Sequence, residues 1–225
     1  MTVSNALYSV AAPDSLAVRL AGVQRRKMYE LFLSRGIAPS DTVLDIGATS
    51  DRTYDHSNYL ELWYPRKAAI TAIGVDPDAA FLEQAYPGLT FVHGDGRRLP
   101  FDDNAFDFVH SNAVIEHVGS RAQQRVFIVE ALRVARKQVF ITTPNRWFPV
   151  ETHTVLPLVH WLPPSWFRSF LRSTGNGFHA REENLNLLSR NDLRRLCHGI
   201  GGQVEVLGVR LGGVVSNLVL CIEKS

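Results

Sequence analysis

Short apolar runs at residues 42–46, 70–75, 89–93, 105–110 and 138–142 alternate with stretches whose apolar residues recur every three or four positions. The runs have the length of buried strands, and the intervening rhythm is that of helices lying on a sheet. Strands alternating with helices predict a mostly parallel α/β sheet. Leu16, Leu20, Val23, Leu31 and Phe32 predict a first helix over 14–35, capped by Asp14 and stopped by Gly36. The clearest helix starts at Ser120. Gln123 completes a capping box there, and Phe127, Ala131, Val134 and Ala135 form the buried face. A short helix opens at Ser189-Arg-Asn-Asp192, with Leu193, Leu196, Cys197 and Ile200 on one side. The ending then changes rhythm: 204–211 and 216–222 flank Gly212-Gly213, a hairpin signal.

The chain has 225 residues, 45% of them hydrophobic and 20% charged, which excludes wholesale disorder and fits one domain over 1–225. Its parts are a helix at 14–35, a core at 40–145, an insertion at 146–188 and a closing helix and hairpin at 189–225. Residues 1–13 read as a frayed lead-in. The net charge of +2 gives no support for a broad nucleic-acid surface, and Arg25-Arg26-Lys27, Arg97-Arg98 and Arg194-Arg195 read as solvated faces. Cys197 and Cys221 have no metal-like spacing, so neither a disulfide framework nor a metal is expected. There is no signal-peptide pattern and no apolar run long enough to span a bilayer, so a cytoplasmic protein is expected.

Ligands of open α/β sheets bind beyond the carboxyl ends of the strands, where the strand order reverses. Four polar motifs fall at such ends: Asp45-Ile-Gly47, Asp76-Pro77, Asp95-Gly96 and Ser111-Asn112-Ala113. Gly47 permits close backbone approach. A carboxylate at Asp76 is suited to accepting both hydroxyls of a ribose. The stretch 51–64 between the first two motifs is longer than usual; it either folds over the ligand or pads the surface, and padding with one or two functional contacts is the reading taken.

These motifs, in this order, resemble those of the class I S-adenosylmethionine-dependent methyltransferases, over about residues 40–145 and loosely over the hairpin. The resemblance implies a three-layer, Rossmann-like fold with a seven-stranded, mostly parallel sheet and an antiparallel C-terminal hairpin. It also implies S-adenosyl-L-methionine as cofactor. Asp45, Gly47, Ala48 and Thr49 would then cradle the methionine part, and Asp76 and Pro77 would meet the ribose. Asp95 and Gly96 would receive the adenine amino group, and Ser111 and Asn112 would line the reaction site. The chain departs from the family in its glycine loop, where Gly47-Ala48-Thr49-Ser50-Asp51 keeps only the first glycine. Either Thr49 and Ser50 hydroxyls hold the loop in shape, or the site is altered.

Methyl transfer to oxygen or nitrogen calls for a group to take a proton, and histidine suits that role near neutral pH. His117, just past the fourth strand, and His153 and His160, in the 144–164 segment, are the candidates; His153 and His117 are taken as catalytic. Glu151 is placed to orient His153. Trp147, Phe148 and Trp161 either fill the core of a substrate lid or form an apolar pocket or lipid-facing surface. The expected acceptor is a small or lipid-like molecule, methylated on oxygen. No nucleic acid is expected, peripheral membrane contact is compatible with the sequence, and the oligomeric state stays open. Two rivals remain: a non-catalytic module of the same fold, and a nicotinamide-dependent oxidoreductase, which the missing glycines disfavour.

Overall fold

The structure, a computed structural model, describes residues 12, 14–54 and 56–224. The lead-in, apart from residue 12, lies outside that range. Seven strands form one sheet: β1 Val43–Ile46, β2 Ile70–Gly74, β3 Thr90–His93, β4 Phe106–Asn112, β5 Ala135–Pro144, β6 Gln203–Leu211 and β7 Val214–Glu223. Their order is β3-β2-β1-β4-β5-β7-β6. The first five run parallel, and β7 lies antiparallel to both β5 and β6. The order reverses between β1 and β4, so their carboxyl ends form a crevice.

Both faces of the sheet are covered. Leu44, Ile46, Val109 and Ile141 pack on one side with α4 (Arg121–Val134) and α6 (Arg190–Leu196). Val43, Ile70, Phe108 and Phe140 pack on the other with α1 (Leu16–Leu33) and α2 (Tyr59–Trp63). Burial on both faces explains why the parallel strands read as unbroken apolar runs. Ser120 and Gln123 close their capping box, and Phe127, Ala131 and Val134 are fully buried on the helix; Ala135, expected on the same face, turns extended and opens β5 instead, although it too is buried. Ser189 and Asp192 cap α6 in the same way. Cys197 and Cys221 are buried and unpaired.

Three expectations change. Ser15 rather than Asp14 caps α1, its hydroxyl accepting from the Val18 amide at 3.3 Å. The core-facing residues of α1 are Gly22, Gln24, Met28, Tyr29 and Phe32, while Leu16 is 68% and Val23 49% exposed. Leu16 and Leu20 instead border a cavity, so their spacing faces that space and not the core. The 51–64 stretch is not padding either. Tyr59, Leu60 and Tyr64 are buried beneath α1, and Asp51, Tyr54 and Ser57 face the cavity.

The segment between β5 and α6 carries α5 (Pro164–Ser173) and a small core of its own, built from Phe167, Leu171, Ala180, Leu185 and Leu187. Trp147, Trp161 and Trp166 stay outside that core, 41–67% exposed. No helix among the described residues is long and apolar enough to cross a membrane.

Candidate active site

A cavity of about 710 Å³ opens at the β1/β4 switch point, roofed by α1 and by residues 148–155. Gly47, Ala48, Thr49, Asp76, Asp95, Gly96 and Asn112 line it, together with His117 and His153. Three expected residues do not. Asp45, Pro77 and Ser111 lie off its wall, because side chains alternate along a strand and a helical turn carries Pro77 away. Ser111 is fully buried and donates to the Ile46 carbonyl at 2.8 Å, tying β4 to β1.

Asp45 points to the opposite face of the sheet. Its Oδ1 is 2.5 Å from His110 Nδ1, and His110 Nε2 is 2.7 Å from the Tyr59 hydroxyl. A carboxylate only accepts, so His110 donates through Nδ1 and accepts from Tyr59 through Nε2. Burial pushes Asp45 up to about 6, His110 down to about 4, and the adjacent Glu61 well above the usual carboxyl range. This network fastens β1 and β4 to α2, behind the cavity. Single-residue spacing does not disclose it, since Glu61 and His110 belong to ordinary apolar elements.

The glycine-poor loop keeps its shape through side chains. The Thr49 amide donates to Asn58 Oδ1 at 3.0 Å, and Asn58 Nδ2 returns a bond to the Thr49 carbonyl at 2.8 Å. The Ser50 amide donates to Asp76 Oδ2 at 3.1 Å, and the Ser50 hydroxyl donates to the same oxygen. Gly47 has a φ of +109°, and a Cβ there would come within 2.1 Å of Val114. The second close approach has moved onto β2: a Cβ on Gly74 would lie 2.1 Å from the Ala48 carbonyl oxygen. The amides of Gly47 and Ala48 both donate to the Ile73 carbonyl, at 2.8 and 3.1 Å, which holds that approach.

Asp76 also caps the turn at 77–80, accepting from the Asp78 amide at 3.1 Å. Burial alone would raise its carboxyl, but the Ser50 and Asp78 bonds hold it below the usual range. Asp95 is forked by Arg97, with Nη2 at 2.6 Å and Nε at 3.0 Å, which lowers its pKa. Arg97 and Arg25 both line the cavity, so neither is the solvated residue expected of its basic cluster. Gly96 is required by packing: a Cβ would meet Phe127 at 2.6 Å and Ile46 at 2.7 Å.

The far wall is polar. His153 Nδ1 lies 2.7 Å from Glu151 Oε1, and the Thr154 hydroxyl donates to Glu151 Oε2 at 2.6 Å. Burial would raise Glu151, but the His153 charge and these bonds outweigh it and bring the pKa down to about 2. Burial opposes charge on His153, yet Glu151 and Glu116 hold its pKa above the ordinary histidine value. His117 donates through Nδ1 to the Asn184 carbonyl at 2.6 Å, and burial with the nearby His153 charge pushes it down to about 3. The loop at 176–187 braces this wall: the Asn186 amide donates to the Glu116 carbonyl at 2.7 Å. His160 faces away, Nε2 2.7 Å from the Phe148 carbonyl, and does not line the cavity.

Sequence reasoning passed over Glu116. Its side chain is fully buried, accepts from the Thr143 hydroxyl at 2.9 Å, and is pushed up to about 7 by burial. Its place beside His117 in Ile115-Glu116-His117-Val118 was a signal, but nothing local shows that His153 arrives on the same spot.

A switch-point cavity over this strand order, closed by an antiparallel hairpin, defines the class I methyltransferase architecture. Residues 44–142 match the family described as "Methyltransferase domain". No curated protein matches the chain. Among solved structures, a methyltransferase from Thermotoga maritima, described as a possible histamine N-methyltransferase, is similar at 15% identity, with 93% of this chain and 92% of that one covered and a TM-score of 0.58. Magnesium protoporphyrin IX methyltransferase from Synechocystis PCC 6803, with bound SAH, is 12% identical over 97% and 91%, with a TM-score of 0.60. The 1,6-didemethyltoxoflavin-N1-methyltransferase of Burkholderia thailandensis is 16% identical over 94% and 80%, with a TM-score of 0.57. At such identities the likeness speaks for the fold.

Proposed function

We propose that this chain transfers a methyl group from S-adenosylmethionine to a small or lipid-like acceptor, with an oxygen atom as the acceptor. The observation that carries the reading is one continuous cavity. It joins the strand-end residues Gly47–Thr49, Asp76, Asp95–Gly96 and Asn112 to the His117–His153 wall. Its volume of about 710 Å³ suits a cofactor with a second small molecule beside it. S-adenosylmethionine is the cofactor, and when bound it supplies an already activated methyl group on a sulfonium.

The protein's own part is positioning. Asp76 takes the ribose hydroxyls, and the backbone at Gly47–Thr49 holds the methionine part. Arg25 faces the same space as the cation for its carboxylate. Asp95 offers its outer oxygens toward the base, sharing them with Arg97. His153, oriented by Glu151 as in other carboxylate–histidine pairs, takes the acceptor's proton. His117 is kept neutral and shapes the wall beside it. Phe148, Val150 and Val155 give the acceptor side an apolar lining, which favours a lipid-like or aromatic molecule over a nucleic acid. The exposed tryptophans 147, 161 and 166 favour peripheral contact with a membrane that holds it.

Calorimetry with S-adenosylmethionine, its demethylated product and NAD tests the reading; binding of NAD alone overturns it, and binding of none favours a non-catalytic module. Asp76→Ala is expected to weaken S-adenosylmethionine binding by roughly 10–100-fold, the worth of charged hydrogen bonds of about 1.5–3 kcal/mol. The variant should stay folded by circular dichroism. Unchanged affinity would show that the ribose binds elsewhere. The acceptor is sought by incubating fractionated metabolite and lipid extracts with methyl-labelled cofactor.

A further inference from the structure

We propose that Glu116, His117 and His153 form a binding site for one divalent transition-metal ion of the zinc type, opening on the cavity. Glu116 Oε1 lies 3.9 Å from His153 Nε2 and 4.0 Å from His117 Nε2. All three ligand atoms lie within 4.8 Å of one another. These separations are too long for hydrogen bonds. Glu116 Oε1 is fully buried and has no hydrogen-bond partner among the described residues. A buried, unpaired carboxylate oxygen is costly unless a positive charge meets it.

The surroundings are those of ligands held in place by outer partners. His117 Nδ1 is 2.6 Å from the Asn184 carbonyl, and His153 Nδ1 is 2.7 Å from the Glu151 carboxylate. Both partners only accept, so each Nδ1 carries the proton, and the neutral form of each imidazole, the form that binds a metal, has its lone pair on Nε2. This pattern of a histidine pinned through its second nitrogen is the usual support of a metal ligand. The third ligand is pinned likewise, through Glu116 Oε2 and the Thr143 hydroxyl at 2.9 Å. The two imidazoles stand at 89° with centroids 4.7 Å apart, so they converge edge to face instead of stacking.

Two imidazoles and one carboxylate suit zinc and its neighbours better than calcium or magnesium, which prefer all-oxygen shells. Zinc bonds of about 2.0–2.2 Å at tetrahedral angles place ligand atoms about 3.4 Å apart. Closing on the ion therefore takes side-chain shifts of about half an ångström. Three protein ligands leave a fourth position, and it faces the cavity because His117 and His153 line it. What the ion would do there rests on the functional reading above. An acceptor hydroxyl bound to it loses its proton to water in the cavity. The oxygen lone pair then forms the new bond to the methyl carbon, while the C–S pair returns to sulfur. In that state His153 is a ligand, and direct proton transfer to it belongs to the metal-free protein.

The test uses the full chain without an affinity tag, stripped with a chelator and dialysed, and titrated calorimetrically with zinc chloride and, separately, magnesium chloride. The expected result is one zinc per chain at micromolar affinity or tighter, no comparable magnesium binding, and a melting temperature raised by zinc. Glu116→Gln, which keeps the Thr143 contact, should weaken zinc by at least about tenfold. His117→Ala serves as the second variant if the first fails to fold. No zinc uptake by the wild type, or uptake that both variants retain in full, overturns the site. Neither result depends on S-adenosylmethionine. Failure of cofactor binding would sink the functional reading and leave the zinc titration intact.

Discussion

His153→Ala is expected to lower kcat by roughly 10²–10⁴-fold, the usual contribution of a positioned proton-transfer group. Cofactor affinity should change less than about twofold, because in the proposed reading the imidazole serves the acceptor while Asp76 and Asp95 hold the cofactor. Glu151→Gln should fall between this variant and the wild type. It keeps the shape but removes the charge that His153 Nδ1 meets at 2.7 Å. The measurement is initial rate against acceptor concentration, using the acceptor found by methyl labelling, with cofactor affinity measured separately. A fully active His153→Ala protein would show that the proton leaves by another route.

The second large effect lies at the end of β2, on the cavity wall. Gly74→Ala would put a methyl group 2.1 Å from the Ala48 carbonyl oxygen, a backbone atom that cannot rotate away. The loop is tied down by the Gly47 and Ala48 bonds to Ile73 and by the Asn58 clamp on Thr49. Either the strand end or the cradle must move. Overpacking of this kind costs roughly 1–3 kcal/mol. The melting temperature should drop by several degrees, and S-adenosylmethionine should bind at least about tenfold more weakly. Gly201→Ala, where an added Cβ meets nothing within 4 Å, is the control. Equal behaviour of the two variants would mean that the β2 approach does not set the cradle.

That glycine bears on the departure of the loop from the methyltransferase pattern. The glycines expected after Gly47 are absent, but one close contact is kept at Gly74 and the loop is held by Asn58, Ser50 and Asp76. The sequence pattern suggested hydroxyl support from Thr49 and Ser50. It gave no means of seeing the Asn58 clamp, because a side chain nine residues away becomes a neighbour only once 51–64 folds under α1.

Local pattern was enough to place all seven strands, the capping box at Ser120 and the hairpin, because burial on both faces or on one helical stripe leaves a local imprint. The same logic misread α1. Leu16 and Leu20 show an apolar spacing whose target is a cavity, and spacing cannot distinguish a cavity from a core.

By itself the sequence determined the order of the elements, the class of fold and the strand ends that border the cavity, since these follow from short-range patterns of apolar and polar residues. Only the tertiary structure decided which side of β1 Asp45 faces, that Asp95 is shared with Arg97, and that Glu116, His117 and His153 meet. Those outcomes depend on segments separated by tens of residues, and on burial that turns a harmless carboxylate into one in need of a positive partner.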